Sequence, residues 1–76
     1  MSIDGEVESL ERKVNQDTGA IYVKLRMKGR TFLGFDPELV RQIPRELNGR
    51  YVRLSYSFFK WKTEPNVYRL ESVTVQ

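Results

Sequence analysis

Residues 21–28, IYVKLRMK, set Tyr22, Lys24, Arg26 and Lys28 at every second position, and Arg30 follows across Gly29. Successive side chains of a strand point to opposite faces, so this spacing gathers one ring and a row of cations on one side. A face that only solvates a strand mixes in acids, because like charges in a row repel. An unmixed row suits a run of phosphates, since each phosphate neutralised releases condensed counterions. A second stretch, YSFFKWKTEPN at residues 56–66, puts Phe59 and Trp61 beside Lys60 and Lys62. A ring flanked by cations can stack on a base while the adjoining phosphate is held. Such stacking contributes about 1–3 kcal/mol per base and tolerates any base.

Other chemistries find little support. The chain has no cysteine and no histidine, which removes thiolate nucleophiles, disulfides and the commonest general base and metal ligand. Glu6 with Glu8 and Asp36 with Glu38 are spaced by two, but a solvated strand face and a helix cap account for them. No glycine-rich phosphate loop, nucleophile elbow or metal-ligand spacing occurs. The expectation is therefore a protein that is not an enzyme, with no catalytic residue, metal or small-molecule cofactor. The acidic start MSIDGEVESLERK has no apolar run, and no segment is long and apolar enough to span a membrane. This predicts a soluble, cytoplasmic domain with no membrane partner.

The elements that must position these residues follow from alternation and breakers. Residues 1–76 form one domain, near the size at which a core alone suffices. Ile3, Gly5, Val7 and Ser9 alternate with charged residues, predicting one strand over 3–12. The cluster Asn15-Gln16-Asp17-Thr18-Gly19 reverses it. Strand two follows at 21–28, with Ile21, Val23, Leu25 and Met27 inward, and strand three at 30–35 after Gly29. Opposite parity sends one of Phe32 and Phe35 inward and the other outward; Leu33 competes for the buried side and leaves the choice open. FDPELVRQIP predicts a short helix capped by Asp36, with Pro37 at its first position and Pro44 limiting its length. A further turn through Leu47 is compatible with the pattern. Strand four over 50–59 points Val52, Leu54, Tyr56 and Phe58 inward, leaving Tyr51, Arg53, Phe59 and Trp61 on the other side. The last strand, 67–75, slips parity near Glu71-Ser72, where a bulge fits.

Charge is distributed in blocks. Residues 1–20 carry five acids and two bases, 21–35 four bases and no acid, 36–48 a balance of −1, and 49–69 five bases against Glu64 alone. With Glu71 these sum to the net charge of +3. Two basic blocks separated by acidic stretches predict one basic surface, provided the fold unites them.

Strand, strand, strand, helix, strand, strand resembles the oligonucleotide/oligosaccharide-binding (OB) fold. The resemblance runs from GEVESLERK through IYVKLRMKGRTFLGF and DPELVRQIPRELNG to RYVRLSYSF, and is similar in layout to S1-like domains and bacterial translation initiation factor one. It implies an all-β, five-stranded barrel with a short helix between strands three and four. It also implies that ligand lies on strands two and three and the loops joining strands one–two and four–five. The expected function is sequence-tolerant binding of single-stranded nucleic acid, DNA or RNA. Lys24, Arg26, Lys28, Arg30, Arg53, Lys60 and Lys62 would meet phosphates, and Tyr22, Trp61, Phe59 and one of Phe32 or Phe35 would stack. The alternative is a protein-interaction subunit of a larger assembly, bound to a protein partner or a second copy. Tyr51, Phe59 and Trp61 would then anchor the contact.

Overall fold

The computed structural model describes residues 1–58 and 66–76. Its alternating segments become β1 (Ser2–Glu6), β2 (Ser9–Val14), β3 (Ile21–Met27), β4 (Arg30–Gly34), β5 (Tyr51–Phe58) and β6 (Val67–Val75), with α1 (Pro37–Gln42) between β4 and β5. The fold is mostly β. The strands form a single sheet in the order β1-β5-β6-β4-β3-β2, antiparallel except for the parallel pair β4–β6.

The expected five-stranded barrel needs correction: the described residues form six strands, in one sheet that is not closed into a barrel. The continuous first strand is two strands at opposite edges of the sheet, and β1 and β2 do not pair with each other. The cause is a change of partner over two residues. The Val7 amide donates to the Arg50 carbonyl at 2.9 Å and the Val7 carbonyl accepts from the Gly49 amide at 2.8 Å, still on the β5 side. The next amide, Glu8, donates instead to the Arg26 carbonyl of β3 at 2.8 Å. Val7 remains fully inside, so the alternation of apolar residues runs on through the break.

Two local expectations hold. The Asp36 carboxylate accepts from the Glu38 amide at 2.9 Å, and Pro37 occupies the first turn. In β6, Ser55 faces Ser72 while Tyr56 faces Leu70, so Glu71 is an extra residue, and the bulge switches the inward parity from Val73 and Val75 to Leu70 and Tyr68. The second helical turn does not form: α1 stops at Gln42, and Leu47 reaches the core from an irregular segment.

One cluster forms the core, drawing Val23, Leu25 and Met27 from β3, Phe32 from β4, Val52, Leu54 and Tyr56 from β5, Leu70 from β6 and Leu39 from α1. Gly34 lies buried where α1 crosses the sheet. A β-carbon there would stand 2.9 Å from Val23 Cγ2 and 3.0 Å from Leu39 Cδ2. Glycine lets the helix settle against β3 and β4, and Phe35 directly follows it.

Candidate nucleic-acid interface

Residues directly opposite each other on paired strands share a face. Lys24 faces Glu11 on β2 and Leu33 on β4, and Leu33 in turn faces Arg69 on β6. Arg26 faces Ser9 and Thr31, and Tyr22 faces Lys13. All of these side chains lie on the side of the sheet opposite the one that carries Val23, Leu25 and Phe32. Phe35 completes the row beyond β4, its ring centroid 5.4 Å from that of Tyr22 at a tilt of 32°. The outer surface of β2, β3 and β4, with Arg69 of β6, therefore carries Lys13, Lys24, Arg26 and Arg69 beside the carboxylate of Glu11, with one ring pair at its margin. Lys13 and Glu11 are themselves paired at 3.4 Å, both well exposed. Cations two apart on a strand are about 7 Å apart, and those two strands apart about 10 Å. Leu33 and Val67 are buried on this same face, outside the core cluster.

The expected site divides. Tyr22, Lys24, Arg26 and Phe35 come together as described. Phe32 is the inward ring: it is fully buried between Tyr56 and Tyr68, with centroids 5.3 and 5.7 Å away, and offers no surface for stacking. Lys28 and Arg30 leave the row. Lys28 and Gly29 are the two loop residues of the β3–β4 hairpin, with φ of 52° and 73°, as a type I′ turn requires. A two-residue loop pairs Arg30 with Met27, which places Arg30 on the core face. There its guanidinium lies 5.7 Å from the Tyr68 ring centroid and donates to the Tyr56 hydroxyl at 3.4 Å. Lys28 reaches toward β1, where its Cε lies close over Gly5.

Arg53 is engaged elsewhere. It faces Asp4 across the β1–β5 pair and grips that carboxylate with two hydrogen bonds of 2.7 and 3.1 Å. The hydrogen bond from Arg53 holds the Asp4 carboxyl below its ordinary value, and the same bond raises the guanidinium. A guanidinium closed on a carboxylate is a poor phosphate ligand. Phe59, Lys60, Trp61 and Lys62 lie outside the described residues.

Lys13 and Arg69 were not singled out from the sequence. Arg69 sits between the inward residues Tyr68 and Leu70, and its alternation was available as a signal. Lys13 lies one residue past the expected end of the first strand at residue 12, because β2 runs on to Val14. Phe58 was expected in the core, but it is 71% exposed at the end of β5 with its ring 5.4 Å from Tyr68. It has inward parity at a place where the core has already ended.

Comparison with protein-family models, with curated proteins and with solved structures gives no match. The site must be judged on its own geometry. Among the described residues, no group of three or more carboxylates could hold a metal ion, and no helix is long and apolar enough to cross a membrane. The face can attract anions and present flat apolar rings.

Proposed function

We propose that this chain binds single-stranded nucleic acid along the outer face of β3 and β4, in the manner of an OB-type barrel. The observation that carries the reading is the Tyr22–Phe35 ring pair beside Lys13, Lys24, Arg26 and Arg69. Aromatic platforms and a cationic track are the two elements that sequence-tolerant single-strand binding needs. Among the described residues, no side chain on this face is fixed in a two-pronged arrangement for reading a base edge, which favours tolerance over specificity.

The barrel reading is supported by the strand order. β1 and β2 stand at the two ends of the sheet yet are consecutive in the chain, joined through Val7 and Glu8. Counted as halves of one bent strand, they would give five strands in the order of a small, partly open barrel. The β2–β3 hairpin lies beside the helix end, where Arg12 donates to the Ile43 carbonyl at 2.8 Å.

The adaptor reading has the exposed Tyr51 in its favour, at 53% accessibility, but Arg53 beside it is committed to Asp4. The test is a titration of fluorescently labelled oligo-dT and oligo-rU, with a duplex control, at low and moderate salt. Single strands are expected to raise the anisotropy, the duplex less so, and salt to reverse the rise. Flat anisotropy with both single strands, together with a salt-insensitive oligomer of the protein, would turn the assignment to the adaptor.

A further inference from the structure

The last pair of the β2–β3 hairpin is Val14 opposite Ile21, and these side chains are 59% and 53% exposed. Their parity is that of Val23 and Leu25, so they face the side where the core lies, but the hairpin has run past it. Between this hairpin end and α1 lies a groove of about 410 Å³, walled by Ala20, Ile21, Phe35, Pro37 and Val40 with Arg41 at its rim. Its size falls in the range of ligand clefts, and it is open to solvent along one side.

Phe35 belongs both to this groove and to the ring pair with Tyr22. Through Tyr22 the groove is continuous with Lys13, which faces Tyr22, and with Lys24 two residues along β3. Arg12 stands on the groove's side of β2, its guanidinium donating to the Ile43 carbonyl at 2.8 Å. At the α1 rim Glu38 pairs with Arg41, and Asp36 caps the helix. An apolar slot with an aromatic wall at Phe35, next to the cationic track of Lys24 and Arg26, matches a nucleobase attached to a phosphate chain better than it matches an apolar protein side chain.

We propose that the groove between the β2–β3 hairpin end and α1 is a base pocket, which receives one nucleobase of a strand whose phosphates follow Lys13, Lys24 and Arg26. This inference rests on the single-strand reading above and adds a fixed end to it. A strand anchored by one buried base has a defined starting point on the face.

The test compares a thymidine 12-mer with a 12-mer of the same sugar-phosphate chain lacking bases, at several salt concentrations. The proteins are wild type, Ile21→Gln and Val40→Thr, the second being nearly isosteric so that folding is preserved. Both substitutions put a polar group into the slot without changing charge. The thymidine 12-mer is expected to bind Ile21→Gln about 5- to 20-fold more weakly, because a polar amide replaces the apolar wall against the base. Its salt dependence and the binding of the base-free chain should stay as in wild type. Thymidine binding within twofold of wild type in both variants, while Lys24→Ala still flattens the salt dependence, would overturn the pocket and leave the cationic face standing. Failure of the wild-type protein to bind either chain would overturn both. Self-association of wild type that Ile21→Gln abolishes would reassign the groove to a second copy of the chain.

Discussion

Gly34→Ala would place a methyl group 2.9 Å from Val23 Cγ2, 3.0 Å from Leu39 Cδ2 and 3.5 Å from Leu70 Cδ2, all buried side chains. No flexible end is available to move aside, so α1 must lift or β3 must shift. Overpacking of this kind costs about 1–3 kcal/mol, offset by roughly 0.5–1 kcal/mol because alanine loses less backbone freedom on folding. The net loss of about 1–2 kcal/mol corresponds to a fall in Tm of roughly 4–15 °C for a domain of this size. Gly5→Ala is the matched comparison. Its nearest neighbour is Lys28 Cε at 2.9 Å, the end of an exposed, flexible side chain, followed by the adaptable Met27 Sδ at 3.2 Å. Thermal unfolding followed by circular dichroism should therefore rank Gly34→Ala well below Gly5→Ala, which stays within a few degrees of wild type. Adding Leu39→Ala to Gly34→Ala should cost less than Leu39→Ala alone costs the wild type, because the Leu39 part of the clash disappears and the space it leaves lets the Val23 contact relax. If Gly34→Ala melts with the wild type, α1 does not rest on β4, and the placement of Phe35 beside Tyr22 loses its support.

Three further expectations follow from other parts of the molecule. Asp36→Ala removes the cap on the Glu38 amide and should lower stability by about 0.5–2 kcal/mol, read from the midpoint of urea unfolding. Lys28 holds φ of 52°, so Lys28→Asn should leave stability unchanged or raise it by a few tenths of a kcal/mol, whereas Lys28→Val should lower it. The Asp4 carboxyl titrates below its unfolded value because Arg53 hydrogen-bonds its charged form, so its contribution is present above the ordinary aspartate range and is lost as pH falls through the folded value. The Tm difference between wild type and Asp4→Asn should accordingly be small, present near neutral pH, and should close in acid; a difference that widens in acid would reverse the assigned linkage.

Much of the fold was written in local pattern. IYVKLRM has one buried and one polar face, and it became a strand with that division. FDPEL carries its own cap, and the loss of alternation at Glu71-Ser72 marked a real bulge. The break at Val7–Glu8 left no such mark, because Val7 is apolar and correctly spaced. What changes there is the identity of the hydrogen-bonding partner, which depends on Arg50 and Arg26, residues far away in the chain. The site was partly legible for the same reason. Tyr22, Lys24 and Arg26 lie inside one regular strand, where parity is dependable. Arg30 lies across a two-residue turn, and a hairpin of that length with Gly29 at a left-handed position returns the chain on the face of Met27. Arg53 looked available from composition, and only the β1–β5 register brings Asp4 to it. Long-range pairing decides which cations are already neutralised.

The most direct test of the cationic face is the salt dependence of single-strand binding in a set of single-charge variants. Among the described residues four cations, Lys13, Lys24, Arg26 and Arg69, lie on the outer face. With one phosphate contact each, the slope of log affinity against log salt is about −2.8, or roughly a 50-fold loss between 50 and 200 mM salt. Lys24→Ala, Arg26→Ala or Arg69→Ala should each bring the slope to about −2.1, a loss of roughly 20-fold over the same interval. Arg53→Ala and Arg30→Ala should keep the wild-type slope, since Asp4 holds one guanidinium and Tyr56 and Tyr68 hold the other on the opposite face. Equal flattening by all five substitutions, or by none, would contradict the assignment of binding to this face.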